Sequence, residues 1–324
     1  MTRCDDEAAL DRQAAPNRSW YIRCFRHGDE RAWLGLIREA SDFPYLIFNQ
    51  SPSLDALRMT IEHPSMDLAR NLWFAESDGR LVGYAELWHD EGRQRKVFKV
   101  LVHPDWRRRG LGTELLRHVE ERARLLGGSR LDVMVEETQQ GGRAFLQARG
   151  LHQVHRCWEM VLPAPERVSE VGRPDGYAFR NLVRGQDEVT SVDLENASFR
   201  DEWEYIPVRL GEIEGFVRSP SFRPEGVIYA VSGGAVVGEC WAWIEKQPPN
   251  EESHGDIWCL CVHPEHRGRG LGKALLLSGV RWLREQGVGP VRLGVDGAND
   301  TARRLYESVG FRAVRTDLWY REEL

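Results

Sequence analysis

The chain repeats itself, and that constrains its fold more than any other feature. Residues 101–116 read LVHPDWRRRGLGTELL and residues 261–276 read CVHPEHRGRGLGKALL. At a constant offset of 160, ten of these sixteen positions are identical, including Val102/Val262, His103/His263, Pro104/Pro264, Arg107/Arg267, Arg109/Arg269, Gly110/Gly270 and Gly112/Gly272. The register continues downstream, where Gly150-Leu151 meets Gly310-Phe311. Upstream, residues 73–88 parallel residues 228–243 at an offset of 155, so the second copy carries a loop five residues longer after that hairpin. Solenoid repeats run to only about 20–50 residues, so this is a whole domain used twice. The 324 residues fit two domains of ordinary size. The expected division is a loose tail over 1–18, a first domain over 19–163, a linker rich in Pro, Gly and charge over 164–175, and a second domain over 176–324.

Both copies share one coarse layout. An opening strand (20–25; 177–182) and a helical region lead to a hairpin turned by Asp78-Gly79 or Gly233-Gly234. An apolar strand then ends in Val-His-Pro, and a glycine-rich turn opens an amphipathic helix. Leu111, Leu115, Leu116 and Val119 recur at helical spacing in the first copy, and Leu271, Leu275, Leu276 and Val280 in the second. A further strand, a short helix and a closing strand (157–162; 318–320) follow. Hairpins outnumber crossovers, so the expected class is α+β, each domain a mixed, mostly antiparallel sheet flanked by helices.

Charge narrows the function. Lys plus Arg is 44 against 50 for Asp plus Glu, a formal net charge of −6, which speaks against nucleic-acid binding by bulk charge. Six cysteines are too sparse for a disulfide framework and fit a reduced cytoplasm. No apolar run reaches the length of a membrane span, and the acidic opening lacks the apolar stretch of a signal peptide. The expectation is a cytoplasmic protein, monomer or homodimer, with no membrane or nucleic-acid partner.

The turns RRRGLG (107–112) and RGRGLG (267–272) follow a strand and open a helix, where backbone N–H groups converge and the helix dipole favours an anion. Gly110 and Gly270 can take positive φ, and Gly112 and Gly272 allow close approach of a ligand. The arginines add positive charge, which together reads as a pyrophosphate cradle. Neither a P-loop nor a dinucleotide fingerprint fits, because Gly268, Gly270 and Gly272 alternate and Lys273 is followed by Ala274.

Val-His-Pro-x-x-Arg-x-Arg-Gly-Leu-Gly before an amphipathic helix resembles the acetyl-coenzyme A motif of the GNAT family of N-acetyltransferases, over nearly the whole chain. The resemblance implies that Arg107, Arg108, Arg109, Gly110, Leu111, Gly112 and Thr113 in the first copy, with Val102, hold a coenzyme. It implies the same for Arg267, Gly268, Arg269, Gly270, Leu271, Gly272 and Lys273 in the second. There Leu260, Cys261 and Val262 would flank the thioester and supply an amide to polarise it. Asn299 and Tyr306 resemble the family's second motif, in which an Asn starts a helix and a Tyr points at the coenzyme sulfur as general acid. Asn299 also reads as a plain helix N-cap, and Tyr306 as a packed core tyrosine. Tandem members of the mycothiol-synthase type place a carboxylate at the start of the strand before the turn. That marks Asp256 as base, with Glu239 on the neighbouring hairpin strand in reserve; Asp256 equally reads as a solvated turn residue.

Subtracting 160 from 256, 299 and 306 gives Lys96, Gln139 and Leu146, so the first copy loses all three positions. The expected protein is a tandem acetyltransferase with a degenerate first half, moving an acetyl group directly from acetyl-coenzyme A to a small-molecule or peptide amine in its second half. A non-catalytic acyl-coenzyme A sensor, a mycothiol-synthase-like acetylation of a cysteinyl amine and transfer of a longer acyl or aminoacyl group are the alternatives. Cys259 and Cys261 read as small core residues, with no metal expected, and His103 and His263 as turn residues. Glu195, Asp201, Glu202, Glu204, Glu212 and Glu214 read either as an acidic acceptor cleft or as a solvated helix face.

Overall fold

A computed structural model describes residues 19–40, 54–63, 66–89, 95–163, 172–245 and 253–324. The expected tail (1–18) and the first eight residues of the expected linker (164–171) lie outside the described residues, as does most of the lengthened loop. The first part of the chain runs β1 (Tyr21–Cys24), α1 (Glu30–Ala40), α2 (Leu54–Glu62), α3 (Leu68–Asn71), β2 (Leu72–Ser77), β3 (Arg80–Trp88), β4 (Arg95–Val102), α4 (Leu111–Leu125), β5 (Arg130–Glu136), α5 (Gln140–Ala148) and β6 (His152–Leu162). β1 to β4 form an antiparallel meander. β4 then runs parallel to β5, but only over Arg95–Val97. The sheet is buried on both faces, so its central strands are almost continuously apolar. α4 sets Leu111, Leu115, Leu116 and Val119 on Val82, Ala85 and Leu87 on one face. α1 sets Trp33, Leu34 and Ile37 on Phe74 and Tyr84 on the other.

The second part repeats the plan: β7 (Ala178–Asn181), α6 (Glu188–Phe199), α7 (Leu210–Arg218), β8 (Val227–Ser232), β9 (Ala235–Glu245), β10 (His254–Val262), α8 (Leu271–Glu285), β11 (Val291–Asp296), α9 (Asp300–Val309) and β12 (Arg312–Glu323). β7 to β10 are antiparallel, and β10 runs parallel to β11 only over Gly255–Ile257. α8 lies close on β9 because Gly238 has no side chain: a Cβ there would meet Leu275 Cδ1 at 2.9 Å.

The compact units are divided differently from the two sequence halves. One holds the described residues up to His155 together with Leu318–Leu324; the other is Arg156–Asp317. β6 starts in the first unit, but from Cys157 to Leu162 it pairs antiparallel with β11 of the second. It buries Met160 and Leu162 in the second unit's core. In return, Leu318 and Tyr320 of β12 are buried in the core of the first unit. Arg321 there holds the fully buried Asp132 through two bonds of 2.7 Å, and the Leu324 amide donates to Ser129 O at 2.9 Å. Both closing strands expected from sequence exist, but each completes the sheet of the other unit. The two copies offer near-identical edges, so periodicity alone cannot decide which edge a closing strand joins.

Among the described cysteines, Cys157, Cys240, Cys259 and Cys261 are free thiols. Cys24 is disulfide-bonded, which corrects the expectation of uniformly reduced cysteines at that position. No described helix is long and apolar enough to cross a membrane.

Candidate active site

In both units the glycine turn adopts the anion-cradle geometry. Gly110 (φ 81°) and Gly270 (φ 79°) cap α4 and α8 in the left-handed region. Two residues earlier, Arg108 (φ 62°) and Gly268 (φ 74°) are left-handed too. A non-glycine residue persists in that region only where its surroundings over-determine it, so the first unit keeps the turn's shape although its residue has changed. Alternating residues of this kind point successive N–H groups at one spot, and the helix N-terminus adds positive potential. Gly272 leaves room beside Leu305, and Gly112 beside Val102 and Phe145.

The arginine side chains are mostly used to hold the turn. Arg107 Nε donates to Val102 O and its Nη2 to Ala40 O at the end of α1. Arg267 does the same to Val262 O and to Ser198 O of α6. Arg109 lies over the Trp106 ring, and Arg269 donates to Tyr177 Oη and Glu265 O. The Thr113 hydroxyl accepts from Arg149. Arg108 and Lys273 are exposed. Arg107 and Arg267, expected at a phosphate, are thus each spent on two backbone carbonyls.

Beyond Ile257, β10 and β11 part, leaving one edge of β10 unpaired from Trp258 to Val262. This is the stretch in which Leu260, Cys261 and Val262 were expected to flank a thioester. A bulge at Trp258 shifts the register between Ile257/Ala242 and Cys259/Trp241. Bulges re-aim side chains and free backbone groups next to active sites. β4 of the first unit diverges from β5 likewise, yet pairs with β3 without interruption from Val97 to Val102.

Behind the bulge lies a buried polar cluster. Glu239 on β9 is fully buried and accepts from Trp241 Nε1 (2.9 Å) and Ser191 Oγ (2.8 Å), with Cys261 Sγ at 3.6 Å. Ser191 also meets Tyr229 Oη at 2.6 Å. Glu195, one helical turn after Ser191 on α6, lies near Cys259 and Glu239. Burial pushes the Glu239 carboxyl up to about 7, its hydrogen bonds restraining the rise. Burial and then repulsion from Glu239 push Glu195 up to about 8. Two neighbouring carboxyls poised near neutral pH are suited to proton transfer.

Tyr306 projects from α9 into the second core, 7% exposed, and burial raises its phenol well above the usual range, so it stays protonated. Asn299 caps α9, accepting from the Ala302 amide at 3.0 Å, and its Nδ2 donates to Glu202. Both ends of that side chain are occupied, so the structure gives it a structural use. Asp256 lies where β10 and β11 still pair, opposite Arg292, with Oδ2 3.4 Å from His254 Nε2. Of the acidic residues in the preceding segment, only Glu195 joins the buried cluster. Glu212 closes a capping box on α7, and Glu214 pairs with Arg218. His103 caps its turn by accepting from the Asp105 amide, as a turn residue should. Cys261 does more than pack, since its thiol donates to the Glu239 carboxyl.

Among the described residues of the first unit, the four positions of this cluster hold other side chains, and its own buried carboxyl, Glu86, lies beside Lys99 instead. The turn arginines anchor on Ala40 and Ser198, which sets α1 and α6 at an offset of 158. Ser191 and Glu195 then correspond to Trp33 and Ile37. At the hairpin offset of 155, Tyr229 and Glu239 correspond to Phe74 and Tyr84. Trp33 packs edge-on against both Phe74 and Tyr84, each at 5.5 Å between centroids. An aromatic plug stands where the second unit holds its carboxyls. Sequence reading singled out Glu239, named Glu195 only among six acidic residues of a possible acceptor cleft, and missed Ser191. The i, i+4 spacing of Ser191 and Glu195 puts them on one face of α6, but polar residues such as Thr190, Asp193 and Asn196 elsewhere on the helix mask that signal.

A sheet that splays beside a left-handed glycine turn opening a helix, used twice in one chain, points to one enzyme family. Residues 18–151 and 191–311 match the Acetyltransferase (GNAT) family, and the chain belongs to it. It is an N-acetyltransferase of two tandem GNAT domains, in a family that uses acetyl-coenzyme A. Among its relatives, the mycothiol acetyltransferase of Thermobispora bispora is 33% identical over 299 residues, covering 91% of this chain and 96% of that protein. The mycothiol acetyltransferase of Streptomyces avermitilis is 30% identical over 301 residues, covering 91% and 92%. Two solved structures share the fold. A GCN5-related N-acetyltransferase from Sphaerobacter thermophilus has a TM-score of 0.73 at 22% identity, over 96% of this chain and 97% of that one. A tandem GNAT protein from the clavulanic acid biosynthesis pathway has a TM-score of 0.71 at 21% identity, over 94% and 98%.

Proposed function

We propose that the second unit transfers an acetyl group from acetyl-coenzyme A to a primary amine in one direct step, and that the first unit is a copy without catalytic chemistry. One observation carries this reading: the buried Glu195–Glu239 cluster of the second unit is replaced in the first by Ile37, Tyr84 and Trp33. The turn's backbone amides from Gly268 to Gly272 suit a pyrophosphate, and the parted edge of β10 suits an extended chain beside it. When bound, acetyl-coenzyme A supplies the acetyl thioester. The Glu239–Glu195 pair takes a proton from the substrate ammonium, leaving the free amine that can attack. Unpaired amides between Trp258 and Val262 stabilise negative charge on the acetyl oxygen. The Tyr306 hydroxyl, kept protonated by burial, donates a proton toward the departing sulfur. Asp256, held beside His254, ranks behind Glu239 as base.

For the acceptor, the relatives named mycothiol acetyltransferase favour a cysteinyl amine over a polyamine, aminoglycoside or peptide N-terminus. Acetyl transfer by the Tyr306→Phe variant tests the assignment. The expected loss is about 10²-fold or more in kcat, with little change in KM for acetyl-coenzyme A, and an unchanged rate overturns it. A panel of the four amine classes ranks the acceptors, and the cysteinyl amine is expected to show the highest kcat/KM.

A further inference from the structure

β10 sends two sulfurs to the same face just past its bulge. The Sγ atoms of Cys259 and Cys261 and a carboxylate oxygen of Glu239 lie within 4.8 Å of one another. Cys261 Sγ stands 3.6 Å from Glu239 Oε1, close to the edge of a tetrahedron built on zinc bonds of about 2.3 Å to sulfur and about 2.0–2.2 Å to oxygen. The Glu195 carboxyl stands near Cys259 and Glu239 but outside the trio. Both thiols are free. Cys259 and Glu195 are partly exposed, which leaves a way in, while Glu239 and Cys261 are buried. Two sulfurs and one carboxylate oxygen around one point are a donor set that selects a borderline-soft cation over magnesium or calcium. The first unit supplies a built-in contrast, because Lys99, Leu101, Tyr84 and Ile37 occupy the four positions and offer no such set.

We propose that Cys259, Cys261 and Glu239, with Glu195 alongside, form a binding site for one Zn²⁺ ion in the second unit, and that the bound ion blocks acetyl transfer by occupying the acceptor's place. On binding, each sulfur bonds the metal and its thiol proton leaves to solvent. The metal site goes beyond the transferase reading and does not depend on it, since binding is read without turnover.

The test uses the full chain, reduced and freed of metal by chelation. Co²⁺ is the spectroscopic probe and Zn²⁺ the competitor. One equivalent of Co²⁺ at this site is expected to give a thiolate-to-cobalt charge-transfer band with tetrahedral visible bands, both erased by Zn²⁺. The band is expected to vanish in Cys259→Ser and in Cys261→Ser, to persist in Cys157→Ser, and to need at least tenfold more Co²⁺ in Glu195→Gln. Retained thermal unfolding transitions show that the serine variants are folded. Absence of the band in the natural protein overturns the site, and so does its survival in both Cys259→Ser and Cys261→Ser. In the active enzyme, Zn²⁺ is expected to raise KM for the amine and leave KM for acetyl-coenzyme A unchanged; the reverse pattern overturns its placement at the acceptor. Loss of the metal signal with transfer intact counts against this site alone, and an inactive protein that still binds Co²⁺ counts against the transferase mechanism alone.

Discussion

Glu239 is a side chain costly to the fold that, as the proposed base, would serve the reaction. Its carboxyl has no cation beside it among the described residues, only three weaker donors, and burial raises it to about 7. An acid with a raised folded pKa favours the folded state most at low pH. The contribution is fully present below the ordinary carboxylate range and is lost as pH climbs through about 7 for Glu239 and about 8 for Glu195. Thermal unfolding from pH 6 to 9 is therefore expected to show a falling Tm, and the Glu195→Gln/Glu239→Gln double variant should flatten that decline. Activity runs the other way, because the base must be ionised to accept a proton. The pH profile of kcat/KM is expected to rise to a plateau above about 7, and Glu239→Gln should lose about 10²–10⁴-fold together with that limb. Asp256→Asn should keep the limb, and a profile unchanged in Glu239→Gln with the limb lost in Asp256→Asn would reverse the two roles.

Among the elements, the glycine turn carries a matched pair of experiments. Gly270→Ala and Gly110→Ala each put a side chain into a left-handed residue whose surroundings are open, so the cost comes from backbone strain. Each is expected to cost about 1–2 kcal/mol of stability, seen in urea unfolding. Only Gly270→Ala should raise KM for acetyl-coenzyme A, because only that turn lies beside the acid–base cluster. The strands, hairpins and helix faces were legible because each follows a local period: Leu111, Leu115 and Leu116 mark α4 whatever the rest of the chain does. The turn was legible because it occurs twice. The buried cluster was not, because Ser191, Glu195 and Glu239 are 48 residues apart at most and meet only when α6 packs on β9. The use of Arg107 and Arg267 as fasteners was also hidden, since sequence shows a charge near a turn but not the carbonyl it seeks.

The exchange of closing strands belongs to the whole molecule. Removing Leu318–Leu324 takes Leu318 and Tyr320 out of the first unit's core and leaves Asp132 with Arg95 alone as its described ion-pair partner. That truncation is expected to lower the unfolding transition of the first unit, measured by hydrogen exchange at β4 and β5, although the deleted residues lie far away in sequence. Protection of those strands unchanged from the full chain would show that β12 is dispensable there. The same arrangement decides what happens if the chain is severed between residues 164 and 171. Each fragment would lack a strand that the other carries, so neither is a self-sufficient enzyme. Mixed, they hold complementary parts and can restore both units by exchange of the kind seen in domain swapping. A nick in the linker should thus go unnoticed by the folded protein, whereas expressing residues 172–324 on their own should yield an incomplete sheet with the edge of β11 bare and prone to aggregation. Duplication here has produced two domains that must be inherited together.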